Sequence, residues 1–329
     1  MASTSIHTDQ IQHPIQKELG LLEKQLEGIL KSDVALIHGI GEHLLAIRGK
    51  RVRPALLFLC SHLGKPDLEQ VVKAGVAIEL IHTATLLHDD SIDKSHLRRG
   101  LPTVNSLWDE QVSVIMGDHL FCKAFKLLHE SGLREVAQVM VNGSDRMTFG
   151  EMYQMDQRGD CDITEESYLD MIRHKTAALF SSACDAGAVI GGLSSEARRS
   201  LSAYGDRIGT AFQIVDDILD FVGDVECMGK PVGNDVRDGR VTLPLIAALR
   251  NAPAKEASSM RSLVCGDEFT ESGWNDIVDF VKARGGVDYS RELCGRFVES
   301  AKSGISDLDD SPARASLLAL ADYVISRQK

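Results

Sequence analysis

The segment LSAYGDRIGTAFQIVDDILDFV, residues 201–222, decides the fold class of this chain. Its apolar residues recur every three or four positions, which is the spacing of one face of an α-helix. Gly205 and Gly209 lie about one turn apart and would let a neighbouring helix approach closely. Gly223 follows as a typical helix stop. The pattern predicts a long helix over 195–222 that buries one of its sides.

The same helical spacing recurs along most of the 329 residues, and no convincing alternating strand and no βαβ rhythm is present. Only 5% of the chain is aromatic and 43% is hydrophobic, which favours helices because strands are enriched in aromatic and β-branched residues. We predict one all-α domain, a single helical bundle over residues 11–329, preceded by a mobile tail of residues 1–10. The predicted helices are 15–31, 35–47, 52–63, 71–88, 111–130, 133–158, 165–191, 195–222, 241–250, 274–284, 287–306 and 312–327, and the predicted loops are 94–106, 223–240 and 251–272.

The charge balance limits the partners of this chain. Its formal net charge is −12, so neither nucleic acid nor an anionic membrane is expected as a general partner. The longest apolar stretch, 71–87, is interrupted by Lys73, Glu79 and His82 and is too polar to span a bilayer. The N-terminus lacks a basic region followed by an apolar one, so no secretory signal is expected. These features predict a cytoplasmic protein without a stable membrane span.

The seven cysteines of the chain are scattered, and none forms a C-x-x-C pair. Free cysteines behave as small buried hydrophobes in reducing compartments. We therefore predict that all of them are reduced thiols.

Two acidic clusters with the same D-D-x-x-D spacing are the most informative residues. They are Asp89, Asp90 and Asp93 in LLHDDSIDKSHLRRG, and Asp216, Asp217 and Asp220 in FQIVDDILDFVGD. Positions i and i+4 share a helix face, so each cluster places two carboxylates together, at a cost of about 0.2–0.5 kcal/mol per like-charged pair. One such cluster could be a solvated acidic face, but two identical ones on apolar helices indicate a ligand. Mg²⁺ fits because it binds few carboxylates and completes its shell with water and phosphate oxygens.

Basic residues gather near these clusters despite the net acidity of the chain. They are Lys50, Arg51, Arg53, Arg98, Arg99, His174, Lys175, Lys230, Arg237 and Arg240. Carboxylates, Mg²⁺ and cations together can hold a diphosphate and stabilise it as it leaves. A nucleotide P-loop is not expected, since GIGEHLLAIRGKR lacks a Ser or Thr after Lys50 and a preceding strand.

With these residues in place, the chain closely resembles the trans-type polyprenyl diphosphate synthases. The resemblance runs in order from about residue 45 to 250. It is carried by GKRVRP (49–54), ELIHTATLLHDDSIDKSHLRRG (79–100), GD (117–118), GEMYQ (150–154), HKTAALF (174–180), GTAFQIVDDILDFVGD (209–224) and GKPVGNDVRDGRVTLPL (229–245). It implies an all-α bundle of the isoprenoid synthase type with a central active-site cavity, acting as a homodimer.

The resemblance also implies roles for individual residues. Three Mg²⁺ ions are expected per active site, two on Asp89 and Asp93 and a third on Asp216, with Asp90, Asp217 and Asp220 in support. The residues expected to grip the allylic diphosphate are Arg98, Lys175 and Lys230, and those expected to bind isopentenyl diphosphate are Lys50, Arg53, His82 and Arg99. Thr176 and Gln213 would stabilise the carbocation, with Phe212 nearby. Arg240 stands where many members have Lys, and Glu151 where some have Gln.

The implied reaction is ionisation, condensation and elimination, in which isopentenyl diphosphate is added to an allylic diphosphate. The growing chain should run from Asp89 along its own helix, past Thr85, Ala84, Ile81, Ile78 and Ala77. Farnesyl synthases place an aromatic residue where this chain has Ala84 or Thr85. We therefore expect a longer product, of about thirty to fifty carbons, with a geranylgeranyl product as the main alternative. Phe121 and Phe125 could form the tunnel floor, or they could be ordinary core aromatics.

Other functions remain alternatives at this point. A class I terpene synthase or a squalene-type synthase also uses clustered acids, but the complete second D-D-x-x-D, GKRVRP and RRG favour a prenyltransferase with two diphosphate sites. An inactive regulatory subunit of a heteromeric synthase typically loses acidic clusters, and both are intact here. His82 could be a satisfied core histidine, although the resemblance makes it a ligand. His88 and His96 are interpreted as bystanders.

Overall fold

The chain folds almost entirely into helices. This computed structural model describes residues 11–47, 49–222, 233–266 and 271–327. Within them the only strands are Leu97–Arg98 (β1) and Leu101–Pro102 (β2), which form one short antiparallel hairpin with Arg98 opposite Leu101. The prediction of an all-α fold is confirmed. The predicted tail, residues 1–10, lies outside the described residues.

The helices follow one another with short connections. In chain order they are a 3₁₀ turn His13–Ile15, α1 Gln16–Leu30, α2 Ala35–Ala46, α3 Val52–Ser61, α4 Leu68–Ile92, α5 Val104–Leu107, α6 Glu110–Glu130, α7 Arg134–Asp156, α8 Glu165–Ile172, a π-helical turn Arg173–Ala177, α9 Ala178–Ile190, α10 Ser195–Val222, α11 Asn234–Arg237, α12 Leu243–Asn251, α13 Ala254–Val264, α14 Glu271–Ala283, α15 Gly286–Gly304 and α16 Pro312–Ser326.

The helices divide into two compact units, each assembled from three stretches of chain. The first unit comprises Met1–Asp145, Leu179–Gly205 and Lys302–Leu320. The second unit comprises Arg146–Ala178, Asp206–Ala301 and Ala321–Lys329. The first acidic cluster therefore belongs to the first unit and the second cluster to the second unit. That 11–329 forms a single domain stays a prediction.

Helix α4 is the central element of the first unit. Asp67 caps its first turn by accepting a hydrogen bond from the backbone N–H of Gln70 (2.9 Å). The helix packs against α1, α3 and α6 and buries residues on nearly all sides. By length and composition alone α4 could cross a membrane, but 67% of its apolar window is buried inside the protein. A buried core helix passes the same test, so the finding carries little weight.

The close helix approach predicted at Gly205 is present in the first unit. A Cβ at this position would lie 2.6 Å from the backbone oxygen of Phe180 on α9. Such a distance is closer than real Cβ atoms tolerate, so only glycine allows the two backbones to meet there. The prediction made from the sequence of α10 is confirmed at this residue.

The second unit contains a disulfide bond between Cys161 and Cys265, whose Cα atoms are 6.4 Å apart. The prediction that all cysteines are reduced is therefore wrong for this pair. The two residues are separated by 104 positions, so no local spacing could have paired them. Among the described residues, the free cysteines are Cys60, Cys122, Cys184 and Cys294.

The predicted loops contain more structure than their sequences indicate. The segment 251–272 includes helix α13, which buries only Ala257 and Val264 and therefore shows almost no apolar periodicity. The segment 94–106 contains the β-hairpin and begins α5, and 223–240 contains α11. Residues 223–232 lie outside the described residues.

Candidate active site

The first acidic cluster lies at the C-terminal end of α4. Asp89 and Asp90 are in its last turns, and Asp93 is its C-cap. Asp90 is only 4% exposed, and its two carboxylate oxygens accept hydrogen bonds from Nε (2.8 Å) and Nη2 (2.7 Å) of Arg98. This bidentate pair commits both oxygens of Asp90 to the protein. Asp89 and Asp93, one helical turn apart, are the pair that a cation could bridge.

Arg98 is delivered to the cluster by strand β1. Burial lowers the pKa of its guanidinium, but the hydrogen bonds and charge of Asp90, with the charges of Asp89 and Asp93, outweigh burial and raise the pKa overall. The neighbouring Arg99 adopts the left-handed conformation (φ 53°) and donates to the backbone oxygen of Ile47 (3.1 Å). The hairpin thus directs two adjacent guanidinium groups to different places.

A small cavity of about 50 Å³ in the first unit is lined by three of the predicted cations, Arg51, Arg98 and Arg99, together with His82. Its lining residues are Leu44, Ile47, Arg51, Glu79, His82, Thr83, Leu86, Leu87, Asp90, Arg98, Arg99, Thr103 and Val104. Burial, the charge of Arg98 and, more weakly, that of Arg51 lower the pKa of Arg99, against a smaller opposing effect of Glu79. Burial is the larger cause and the charge of Arg98 the next, and a bound anion would favour the charged guanidinium against both.

His82 lies on the wall of this cavity and is held in its neutral form. Burial and the charges of Arg53, Arg98, Arg99 and Arg51 lower its pKa well below the usual range. Nη1 of Arg53 lies 3.0 Å from Nε2 of His82. Because a guanidinium can only donate, Nε2 is the acceptor and the ring proton is on Nδ1. The guanidinium of Arg53 also lies 4.7 Å from the ring centroid of Phe180.

Arg51 has a structural role next to these groups. Its Nε donates to Glu23 (2.8 Å) and its Nη1 to Glu79 (2.5 Å). Arg51 has φ 53° and is the N-cap of α3. The pairing fixes the segment that carries Lys50 and Arg53, and Lys50 itself is exposed with its backbone oxygen accepting from Gln12 (3.1 Å).

The structure sorts the three aspartates of the second cluster into different roles. The side chain of Asp216 is 39% exposed, and its Oδ1 lies 3.0 Å from Nη2 of Arg327. Asp217 is 3% exposed and accepts from the hydroxyl of Tyr168 (2.5 Å) and from Nε2 of Gln213 (2.8 Å). Asp220 accepts from the backbone N–H groups of Gly233 (3.1 Å) and Asp235 (3.2 Å). Asp220 therefore caps α11, and Asp217 anchors two side chains.

The pKa values of Asp217 and Tyr168, which form a buried hydrogen-bonded pair, are both raised well above their usual values. Burial, with the nearby charge of Asp235, raises the pKa of Asp217 well above its usual value, against the opposing hydrogen bonds of Tyr168 and Gln213. Burial and the charge of Asp217 likewise raise the pKa of Tyr168 well above its usual value. The phenol of Tyr168 therefore keeps its proton and donates it in the hydrogen bond.

The π-helical turn Arg173–Ala177 presents Lys175 and Thr176. Such turns carry one extra residue and are frequent at functional sites. Nζ of Lys175 lies 2.6 Å from Oε1 of Gln154 and 2.5 Å from Oε2 of Glu151, which gives Glu151 a defined contact. A Cβ on Gly150 would lie 2.3 Å from the backbone nitrogen of Lys175, so only glycine admits the turn this closely to α7.

Three further predicted residues also have defined contacts. The hydroxyl of Thr176 donates to Oε1 of Gln213 (2.8 Å), so the structure brings this predicted pair together. The guanidinium of Arg327 lies 3.9 Å from the ring centroid of Phe212. Arg240 lies 3.4 Å from Asp235 and 3.5 Å from Asp238. Lys230 lies outside the described residues.

The predicted chain-length residues lie on α4 and α6. Ala77, Ile78, Ile81 and Ala84 are fully buried. Thr85 is half-buried, and its hydroxyl donates to the backbone oxygen of His82 (2.7 Å). Phe121 and Phe125 are half-buried and stacked (centroids 6.3 Å apart), with His88 stacked on Phe121 at 6.0 Å. His88 thus belongs to an aromatic row, and its role as a bystander of the acidic cluster stays a prediction.

The donor set suits a hard cation. In the part of the chain that the structure describes, no three His, Cys, Asp or Glu side chains converge as a ready metal cage. Mg²⁺ does not need one, because it binds through one or two carboxylates and takes its remaining ligands from water and phosphate. Asp89 with Asp93, and Asp216 alone, meet this requirement with oxygen donors.

The comparisons with known proteins agree with this geometry. The family model described as Polyprenyl synthetase matches residues 34–279. The short chain isoprenyl diphosphate synthase of Methanothermobacter thermautotrophicus is 38% identical over 87% of this chain and 89% of its own length. The octaprenyl diphosphate synthase of Escherichia coli is 34% identical over 91% of this chain and 93% of its own.

A solved structure extends the similarity to the fold. The polyprenyl synthase of Caulobacter crescentus, complexed with calcium and isoprenyl diphosphate, is 33% identical, covers 100% of both chains and superposes with a TM-score of 0.95. Fold and site together define an all-α isoprenoid synthase. This chain belongs to the polyprenyl synthetase family and is a prenyltransferase. The predictions of family, fold class and enzyme class are confirmed.

Several residues of the site were absent from the sequence-based set. Tyr168, Gln154 and Asp235 contact predicted residues, and Arg327 pairs with Asp216. Tyr168 is 49 positions from its partner Asp217, and Arg327 is more than a hundred from Asp216. No motif spacing connects such distant positions, and only the folded chain reveals the pairs.

Proposed function

We propose that this enzyme condenses isopentenyl diphosphate onto an allylic diphosphate with Mg²⁺ as its metal, three ions per active site. The observation that supports the proposal is that the aspartates of each cluster differ in their hydrogen bonds to the protein. Asp90, Asp217 and Asp220 have both carboxylate oxygens bonded to protein donors. The resemblance assigns the metal to the other three, so Asp89, Asp93 and Asp216 are the proposed ligands. Bound Mg²⁺ would act as a Lewis acid on the diphosphate leaving group.

The cations around the clusters have separate proposed tasks. Arg53, neutral His82, Arg99 and Lys50 would bind the diphosphate of isopentenyl diphosphate, because Arg51, Arg98 and Arg99 line one cavity with His82, where an anion would be favoured. Lys175, Arg98 and Lys230 would grip the allylic diphosphate and stabilise it as the C1–oxygen bond breaks. Arg240 would support this site, with the wider geometry of a guanidinium.

The allylic carbocation requires oxygen atoms nearby to stabilise its charge, and it requires that water, which would react with it, be kept away. The oxygen atoms of Thr176 and Gln213, joined at 2.8 Å, would face the allylic carbocation, with Phe212 nearby. The double bond of isopentenyl diphosphate attacks C1 of the cation to form the new carbon–carbon bond. A proton is then lost to the departed diphosphate, which restores a double bond. Apolar side chains around the hydrocarbon tails would exclude water from the cation.

We propose a product of about thirty to fifty carbons. The octaprenyl synthase among the relatives supports a long product, whereas the archaeal relative is called a short chain enzyme. The small side chains of Ala84 and Thr85 below Asp89 favour the longer product, since they leave room for a growing tail. The stacked Phe121 and Phe125 would then form the tunnel floor. A geranylgeranyl product remains the second candidate.

We also propose that the enzyme is a cytoplasmic homodimer. The support is a set of apolar side chains left exposed on α6 and α7, which a partner copy would cover. They include Ile115 (66% exposed), Phe149 (55%) and Met152 (66%). Light scattering on the purified chain would measure the assembly, and a monomeric mass would contradict the proposal.

A condensation assay tests the proposed function. The purified chain is incubated with MgCl₂, radiolabelled isopentenyl diphosphate and farnesyl diphosphate, and the products are dephosphorylated and sized. We expect acid-labile polyprenyl diphosphates of increasing length and no reaction after chelation with EDTA. Absence of an acid-labile product from the pure chain would favour a regulatory subunit, and a hydrocarbon or alcohol product would favour a terpene synthase.

Asp216→Asn, matched with Asp310→Asn on an exposed loop, separates the loss of a proposed ligand from a general change of charge.

A further inference from the structure

We propose that Tyr168 is a positioning residue of the reaction, which holds the amide of Gln213 in the one orientation that presents its oxygen to the reacting carbons. The inference rests on the proposed function, in which Gln213 and Thr176 face the carbocation. Tyr168 would not touch the substrates itself. It would act through Asp217.

Three hydrogen bonds link four side chains in the second unit. The hydroxyl of Tyr168 on α8 donates to Oδ2 of Asp217 on α10 (2.5 Å). Oδ1 of Asp217 accepts from Nε2 of Gln213, one turn earlier on α10 (2.8 Å). Oε1 of Gln213 accepts from the hydroxyl of Thr176 in the π-helical turn (2.8 Å). The chain of bonds therefore connects three successive elements of the unit.

The donor and acceptor chemistry allows only one orientation of the Gln213 amide. Oδ2 of Asp217 accepts from Tyr168 and Oδ1 accepts from Nε2 of Gln213, so the group of Gln213 that faces Asp217 is its NH₂. Its carbonyl oxygen is then turned toward Thr176 by necessity. An amide rotated by half a turn would put its oxygen against a carboxylate and its NH₂ toward the carbocation, where a positive dipole end is unfavourable.

Tyr168 holds the carboxylate of Asp217 in the position from which it accepts the hydrogen bond of the Gln213 amide. It is fully buried, and Asp217 is 3% exposed, so water is a poor replacement for its hydroxyl. Without the phenol, Oδ2 of Asp217 would be left without this donor in a buried place, and the carboxylate would rotate toward other donors. Gln213 would then lose its fixed partner, and its amide could turn over. Both oxygens of Asp217 accept hydrogen bonds from neighbouring side chains, which supports an anchoring role.

The chain offers a matched control for the loss of a buried hydroxyl. Tyr204 is also fully buried, and its hydroxyl donates to the backbone oxygen of Leu317 (2.6 Å). It lies in the first unit and has no part in the hydrogen bonds described above. Tyr204→Phe and Tyr168→Phe therefore remove the same group from equally buried places, so they should lower the Tm to a similar extent.

The experiment compares these variants by steady-state kinetics with farnesyl and isopentenyl diphosphates. We expect Tyr168→Phe to lower kcat by about tenfold or more with little change in either KM, as for loss of a preorganised dipole. Tyr204→Phe should keep kcat near that of the wild type. In a Gln213→Ala background, Tyr168→Phe should cause no further loss, because the residue through which it acts is gone. A kcat for Tyr168→Phe near the wild-type value, or losses that multiply in the double variant, would overturn the proposal.

A second variant covers the case in which Tyr168→Phe does not fold. Asp217→Asn keeps Tyr168 and its hydrogen bond but can present an NH₂ group to Gln213, which favours the turned-over amide. We expect a similar loss of kcat, and an unchanged kcat would contradict the inference. A crystal structure of either variant should show Gln213 moved away from Thr176, and an unmoved Gln213 would also overturn it. Failure of the proposed function is a separate result, namely an inactive wild-type enzyme.

Discussion

Arg327 and Asp216 form an ion pair, with 3.0 Å between Nη2 and Oδ1, and the same guanidinium lies 3.9 Å from the ring centroid of Phe212. Asp216 is the aspartate of the second cluster with the most exposed side chain. A positive charge at that carboxylate occupies the position that a cation would take. Arg327 is therefore expected to compete with Mg²⁺ for Asp216.

Arg327→Gln should strengthen the binding of Mg²⁺ alone by about two- to fivefold, the range of a partly exposed ion pair. Isothermal titration with MgCl₂ measures this without substrate. Arg314→Gln is the control, because Arg314 pairs with Asp310 far along the chain from either cluster. An unchanged or weaker affinity for Mg²⁺ in Arg327→Gln would show that the ion pair does not compete with the metal.

Bulky side chains about one turn before Asp89 on α4, on the same side as the small residues Ala84 and Thr85, should shorten the product. Ala84→Phe is expected to reduce it to about farnesyl length, although Ala84 is fully buried and overpacking costs about 1–3 kcal/mol of stability. Thr85→Phe is the gentler test, since Thr85 is only half-buried. Chromatography of the dephosphorylated products measures the length. Products of wild-type length from both folded variants would rule out a tunnel along this face of α4.

His82 should make the folded protein less stable in mild acid. Its pKa is lowered in the folded state by burial and by four arginines, whereas its ordinary value is 6.5. Below that pH the unfolded chain binds a proton that the folded chain does not, so the free energy of unfolding falls as pH decreases. The slope approaches about 1.4 kcal/mol per pH unit for this one group.

Urea unfolding at pH 8 and at pH 5.5 measures the effect of His82. His82→Gln keeps a polar side chain but cannot titrate, and it should lose less stability over this interval than the wild type. Identical losses in the two proteins would mean that His82 takes up its proton in the folded state as easily as in the unfolded one.

The disulfide Cys161–Cys265 should stabilise the second unit. Closure of a loop of this length contributes about 2–5 kcal/mol in small proteins, so Cys161→Ser or reduction with dithiothreitol should lower the Tm. Cys122→Ser, at an exposed free cysteine, is the matched control and should leave the Tm unchanged. Mass spectrometry after alkylation of the denatured protein gives the pairing directly. Labelled Cys161 and Cys265 without prior reduction would contradict the bond.

Long periodic segments allowed much of the fold to be predicted from the sequence. Helix α10 begins and ends at the predicted residues, because one apolar face and a clear stop determine it. Helix α13 was missed because two buried residues make no visible period. The hairpin that delivers Arg98 was assigned to a loop, since two-residue strands carry no alternation.

The two acidic clusters were predicted from the sequence, but the different contacts of their individual aspartates were not. Their identical spacing predicted their importance, and only the resemblance separated Asp216 from Asp217 and Asp220. That separation depends on donors supplied by Tyr168, Gly233 and Asp235, which meet the cluster only in the folded chain. The shared role of Thr176 and Gln213 was expected from the resemblance, whereas their hydrogen bond and its link to Tyr168 through Asp217 were not.

The π-helical turn Arg173–Ala177 has a consequence for protein engineering. The turn holds its extra residue locally, so removing one residue from it would restore ordinary α-helix and keep α8 and α9 in register, while the residues within the turn would be reoriented. Lys175 and Thr176 would then point elsewhere while helicity, by circular dichroism, stayed the same. A single-codon deletion within this turn should therefore abolish activity and leave the helical fold intact.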